Sequence, residues 1–183
     1  MTNQDPLSIS NTLGRGPGGD QQADGEKPRD LFLHIAADGT WYYRGTAIER
    51  PGLVKLFASV LRRDEEGRYW LVTPVERGIV TVEDAPFVAV DCDAEGEGRE
   101  QVLHFRTNLD HEIVAGAEHP LRLTEVGAAE ERRPYLLVRP GLEALVSRPL
   151  FYRLAEMAVP SQTDPNLLGV WSQGVFFPLG QAQ

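Results

Sequence analysis

Four arginines, Arg44, Arg77, Arg106 and Arg139, each stand near the end of a run that reads as a β-strand: Tyr42-Tyr43-Arg44, Val75-Glu76-Arg77, Phe105-Arg106 and Val138-Arg139. A guanidinium is planar and carries a fork of donors that matches the oxygens of a phosphate or a carboxylate. Gathered at sheet ends along one cleft, such groups would hold an anion, with Tyr43 or Trp171 stacking on a base or ring of the same ligand. The same arginines could instead pair with Glu76, Glu83 and Asp84 and close two halves of the molecule on each other, because acidic partners are in excess.

Other chemistry has weaker support. There is no Gly-x-Ser-x-Gly elbow, and Ser172 follows Trp171 in an expected turn with no histidine nearby in sequence, which reads as a structural serine. Cys92 lies between Asp91 and Asp93, whose charges raise a thiol pKa, so it reads as an inert cysteine at a strand end. His34, His104, His111 and His119 share no helical metal spacing. Asp110-His111-Glu112 clusters three ligand types, but neighbours on an extended chain point apart, and a solvated turn is the plainer reading. Glu65-Glu66 reads as a surface turn, whereas Glu83-Asp84 precedes Ala85-Pro86 in an apolar region and reads as a turn or an ion-pair acceptor ahead of an acid–base pair.

Composition bounds the answer further. The chain has 183 residues, 42% hydrophobic and 25% charged, which suits one ordinary globular domain or two small ones. Lys+Arg is 18 against 27 Asp+Glu, a formal charge of -9, so phosphate backbones and anionic membranes are repelled on average. A single cysteine excludes an intrachain disulfide and any Cys-based zinc site. With one thiol and no charged start followed by an apolar run, a reducing cytoplasm is the expected compartment.

The first thirty residues hold no aromatic side chain and are rich in Gly and Pro, so residues 1–28 read as a disordered tail. Gly14, Gly16 and Gly19 satisfy the dinucleotide-binding spacing G-x-G-x-x-G, but no strand precedes them, no apolar helix follows, and Pro17 removes an amide. Linker is the better reading.

The elements that must position the arginines follow from periodicity. Strands are expected at Leu31–Ile35, Trp41–Arg44, Tyr69–Thr73, Ile79–Val82, Phe87–Val90, Val102–Thr107, Leu121–Thr124 and Tyr135–Arg139, with a hairpin closing on Gly174. A helix opens at Pro51, with Leu53, Leu56, Phe57, Val60 and Leu61 on its buried face and Arg62 and Arg63 in its last turn. An acidic loop spans Asp91 to Glu100. Leu142, Leu145 and Val146 suggest a helical segment that Pro149 interrupts, and Leu150 to Ala158 continues it.

The two helix entries resemble each other. Arg50-Pro51 and Arg148-Pro149 each precede a helix, a polar loop, a glycine, a Trp-bearing strand (Trp70, Trp171) and a proline. This is a repeated strand, helix and return strand, or else a chance likeness of two ordinary helix starts. If the unit repeats, the surface where two similar layers meet is the natural place for a cleft.

The runs Asp38-Gly39-Thr40-Trp41-Tyr42-Tyr43-Arg44-Gly45, Tyr69 to Gly78, Val82 to Phe87, Phe105-Arg106-Thr107-Asn108 and Gly169-Val170-Trp171 resemble the bacterial domain-of-unknown-function family DUF1285, over Leu31 to Gly180. The resemblance implies two similar subdomains, a C-terminal half like a pleckstrin-homology sheet and helix, a ligand site between the halves, and a role in signal transduction. It carries over no catalytic residue.

The expectation is an α+β protein of two similar subdomains, each a small antiparallel sheet with one main helix, over residues 29–90 and 91–183. Its expected work is non-enzymatic binding of an anionic small molecule or an acidic or phosphorylated protein segment. Arg44, Arg77, Arg106 and Arg139 would form the ligand site, with Tyr43 and Trp171 as stacking partners, and with no catalytic residue, metal or cofactor assigned. The rivals are a hydrolase of a phosphorylated small molecule using Glu83 or Asp84 with His104 or His111, and a structural or oligomerisation module using the aromatic strands. Nucleic acid is disfavoured by the charge, and no membrane partner is expected.

Overall fold

Residues 29–126 and 131–181 are described by the structure, a computed structural model. The tail and its glycine spacing lie outside the described residues, as does part of the polar turn expected before Tyr135. The chain forms two units: the first takes it up to Ala36 and Thr40–Glu83, the second takes Ala37–Gly39 and everything from Asp84 onward.

The first unit contains β1 (Arg29–Ile35), β2 (Trp41–Tyr43), β3 (Thr46–Ala47), α1 (Pro51–Ser59), β4 (Leu61–Arg63), β5 (Tyr69–Val72) and β6 (Arg77–Val82). Its sheet runs β3-β2-β1-β6-β5-β4. The helix carries the chain from one sheet edge to the other, and the meander β4-β5-β6 then returns to the middle, so β6 pairs parallel to β1. Alternation along β1 sends Leu33 and Ile35 into the core with Trp41, Leu61, Leu71 and Val80. Val54, Phe57 and Ala58 of α1 close that core, and Trp41 stacks on Phe57 with centroids 6.3 Å apart.

The second unit contains β7 (Phe87–Glu95), a single 3-10 turn (Gly98–Glu100), β8 (Val102–Thr107), β9 (Glu112–Val114), β10 (Leu121–Val126), β11 (Glu131–Arg139), β12 (Leu142–Val146), α2 (Arg148–Glu156), β13 (Val159–Pro160), β14 (Leu167–Ser172) and β15 (Val175–Gln181). One sheet runs β10-β11-β12-β7-β8-β9, with β12 parallel to β7, and β13-β14-β15 forms a second, antiparallel sheet. Strands β9 and β10 stand at opposite ends of the first order, yet residues 115–120 join them, with a turn closed by the Gly116 amide on the His119 carbonyl at 3.1 Å. A flat sheet would separate those edges by roughly 24 Å at about 4.8 Å per strand. A connection of this length reaches that far only when fully extended, so the sheet curls. Strand β14 lies against β8 and β15 against β10.

Several expectations change. The helix from Pro51 stops at Ser59, with Val60 as its cap and Leu56 exposed, and no basic residue lies in its last turn. Leu61–Arg63 instead pairs with Tyr69–Leu71, because the Asp64 carboxylate accepts from the Glu66 and Arg68 amides and folds the chain into a hairpin. Leu142–Val146 is a strand of strictly alternating burial, and Pro149 opens a helix rather than interrupting one. The acidic run from Asp91 extends β7 to Glu95, since pairing with Val102–Arg106 satisfies its backbone while Asp93 and Glu95 face water. Both six-stranded sheets are mixed rather than purely antiparallel.

The repeat has a physical form. In each unit a helix with proline at its first turn leads into a three-stranded antiparallel meander, β4-β5-β6 or β13-β14-β15. Trp70 and Trp171 both lie on the middle strand of the meander. The units differ in that the first meander joins the main sheet and the second forms its own.

Candidate functional site

In the first unit the arginines rest on aromatic rings. Arg44 sits in the turn after β2 at φ 50, beside Gly45 at φ 80, and its amide donates to the Phe32 carbonyl at 2.9 Å. Its guanidinium lies over the Phe32 ring at 5.0 Å and the Tyr43 ring at 5.5 Å. Phe32 occupies a break in the β1–β6 register, at φ 53, with its amide held by the Asp30 carboxylate at 2.7 Å. That geometry is costly for a residue with a β-carbon and turns the ring outward, 54% exposed. Arg77, at the start of β6, stacks over Trp70 at 3.9 Å. Because β2 runs antiparallel and β6 parallel to β1, Arg44 and Arg77 stand at the same end of the sheet. Among the described residues, neither guanidinium has a carboxylate within ion-pair reach.

In the second unit the expected residues have different surroundings. Arg106 donates to Asp91 at 3.1 Å, and Arg153 donates to the other oxygen of the same carboxylate at 2.7 Å. Hydrogen bonds from Arg153, from Arg106 and from the Cys92 amide outweigh desolvation and hold the Asp91 carboxyl at about 2. Trp171 meets Phe176 edge-on at 5.2 Å, and Arg99 covers its ring at 5.0 Å. Arg139 lies 5.8 Å from the centroid of Phe87 and lines a pocket of about 370 Å³ with Glu112, Ile113, His119 and Val138.

The carboxylates singled out by sequence serve as acceptors. Asp84 accepts from Arg133 at 2.8 Å and from the Tyr135 hydroxyl at 2.6 Å, and Tyr135 is raised to about 12, by burial first and then by that bond. Glu83 meets His34 at 2.9 Å, and His104 stands 3.5 Å from the exposed Glu95. The Cys92 thiol is buried and raised to about 12, chiefly by desolvation, with the neighbouring aspartates contributing less and Arg153 opposing. Among the described residues no group of three His, Cys, Asp or Glu side chains is placed to hold a metal ion.

Sequence reasoning missed Phe32, Phe87 and His119. Phe32 carries no local signal, because its exposure comes from a register break. His119 is distinguished only by a turn that brings it beside β11. Arg153 had a signal in hindsight, since a base in the last turn of a helix is free to reach a neighbouring strand.

Family models match along most of the chain. Residues 21–85 match "Domain of unknown function (DUF1285), N-terminal domain", and residues 86–179 match "Protein of unknown function (DUF1285), C-terminal domain". The chain belongs to the DUF1285 family. Among solved structures, a DUF1285 family protein from Silicibacter pomeroyi DSS-3 is similar at 42% identity and a TM-score of 0.81, over 96% of this chain and 94% of that one. A DUF1285 family protein from Shewanella baltica OS155 is similar at 28% identity and a TM-score of 0.54, over 69% of this chain and 92% of that one. No curated protein matches. No helix among the described residues is long and apolar enough to cross a membrane.

Proposed function

We propose that this DUF1285 chain is a non-enzymatic cytoplasmic binding module in signal transduction. Its ligand is an anionic small molecule or an acidic or phosphorylated segment, held on the first unit through Arg44 and Arg77 with stacking area from Tyr43. One observation carries the reading: in a chain of charge -9, Arg44 and Arg77 keep their donor edges without a carboxylate partner among the described residues, each set on an aromatic ring at one end of a sheet. A guanidinium stacked in this way is oriented in advance, so less side-chain entropy is lost when an anion docks. The curled sheet followed by α2 supports a pleckstrin-homology-like reading of the second unit.

Thermal-shift titration with nucleotides, pyrophosphate and citrate tests the proposal. The expected result is stabilisation by at least one anion that Arg44→Ala and Arg77→Ala each weaken by about tenfold, the equivalent of one charge-assisted hydrogen bond. Flat titrations with all probes, or stabilisation indifferent to both arginines, would reject it.

A second reading, an oligomerisation module, has its own observation. Phe32, Val72 and Val75 are all exposed at the end of the first sheet that carries Arg44 and Arg77. A mass that rises with concentration, and is restored to the monomer by Phe32→Ser, would favour it.

A further inference from the structure

The end of the first sheet that carries Arg44 and Arg77 is also where the chain enters that sheet. β1 begins at Arg29, across from Gly78, and the Arg44 amide meets β1 at Phe32. β1 stands between β2 and β6 in the sheet order. The residues before Arg29 therefore leave the sheet between the turn that holds Arg44 and the strand start that holds Arg77. Each arginine adjoins a strand one step from β1, about 4.8 Å away.

The local charges leave this patch positive. Arg29 is paired with Glu76, and one Asp30 oxygen accepts from the Phe32 amide. Arg44 and Arg77 then set two positive charges against the single negative charge of Asp30. The chain that precedes β1 has the opposite sign. Asp20, Asp24 and Glu26 fall within residues 20–26, a stretch with no base, which lies outside the described residues. Glu26 stands three residues before Arg29 and Asp24 five, a reach of about 10 Å and about 17 Å for extended chain. Both distances exceed the single strand step to either arginine. The N-terminal family match begins at residue 21, so Asp24 and Glu26 are matched together with the unit they precede.

We infer that residues 20–26 are the resident partner of this patch: their carboxylates dock on the Arg44 and Arg77 forks of the same chain, and an incoming anion binds by displacing them. The inference rests on the anion-binding reading above and names what holds that site before a ligand arrives. Exposed ion pairs are individually weak. Tethering three to nine residues from β1 keeps these carboxylates at an effective concentration on the order of millimolar, enough to compete with a dilute ligand.

The test compares the full chain with a variant that combines Asp20→Asn, Asp24→Asn and Glu26→Gln. Pyrophosphate affinity is read by calorimetry at low salt, and the arginine Nε–H signals are read by NMR without added anion. A control with Asp93→Asn, Glu97→Gln and Glu118→Gln removes the same charge from exposed positions of the second unit. The first variant should bind pyrophosphate at least about threefold more tightly than the wild type. Its Arg44 and Arg77 signals should shift, while those of Arg106 and Arg153, held by Asp91, stay in place. The control should match the wild type in both readouts. Measurable binding of unchanged affinity, or unmoved Arg44 and Arg77 signals, would overturn the inference and leave the anion-binding reading intact. Equal effects of the two variants would reduce the result to net charge and also overturn it. An effect that grows with protein concentration would assign the carboxylates to a second copy and overturn docking within one chain. If pyrophosphate binds none of the chains, the anion-binding reading fails, and the arginine signals alone decide whether the segment docks.

Discussion

The Ser172 hydroxyl donates to the Ala115 carbonyl at 2.6 Å while accepting from the Leu103 amide at 2.9 Å, and Ser172 has no exposed surface. One side chain therefore ties β14 to β8 and to the connection that closes the curled sheet. Ser172→Ala would leave a buried amide and a buried carbonyl without their partner. It should cost about 2 kcal/mol in urea unfolding, with little change in the folded spectrum. A cost within about 0.5 kcal/mol, the size of an ordinary surface change, would mean that water replaces the hydroxyl.

Asp91 and Asp64 set the acid limb of stability. At Asp64 desolvation opposes ionisation, but hydrogen bonds from the Trp70 indole and from the Arg68 amide and side chain prevail, and its carboxyl falls to about 2. Both carboxyls are depressed below the ordinary 3.8 in the folded chain. Their contribution is present above the unfolded value and is lost as pH falls through about 2. Unfolding midpoints should drop between about pH 4 and pH 2, and Asp91→Asn should flatten that drop. An unchanged acid limb in Asp91→Asn would show that Arg106 and Arg153 do not favour the ionised form.

Cys92 should be chemically silent. Its thiol is buried and raised to about 12, so almost no thiolate exists at neutral pH. A thiol reagent should label the native chain only at the rate of unfolding and label the chain in urea at once. Immediate native labelling would contradict the burial described.

Gly169 should tolerate no side chain. A β-carbon there would meet the Phe177 carbonyl and come within 2.7 Å of the Phe176 ring, at a register break between β14 and β15. Gly169→Ala should destabilise the second unit by about 2 kcal/mol, the range of overpacking a filled site. Gly45→Ala, with open space around it but φ 80, should cost about 1 kcal/mol through backbone strain alone. Equal costs at the two sites, read from the same denaturation curves, would show that the strand relaxes around the added methyl.

Much of the sheet was legible before any coordinates. Leu31–Ile35 is a short apolar run, Val102–Thr107 alternates along its length, and Pro51 marks a helix start at a position where its missing amide costs nothing. Leu61–Arg63 reads as helical because Leu61 follows Phe57 at helical spacing, and Leu142–Val146 because a short apolar run satisfies both periods. What decided them was a partner strand: Tyr69–Leu71 for one, Phe87–Ala89 and Tyr135–Leu137 for the other.

The amino-acid sequence by itself determined the elements with strong local rules: alternating strands, proline-opened helices, glycine turns, and a net acidity that sets the arginines apart. Tertiary structure alone decided which arginines keep their donors. Arg106 and Arg153 share Asp91 because two strands and a helix converge there, while Arg44 and Arg77 end on aromatic faces through a register break and a cross-strand pairing. Ion pairs and stacks depend on distances between residues remote in the chain, and those distances are set by strand pairing, which no local pattern encodes.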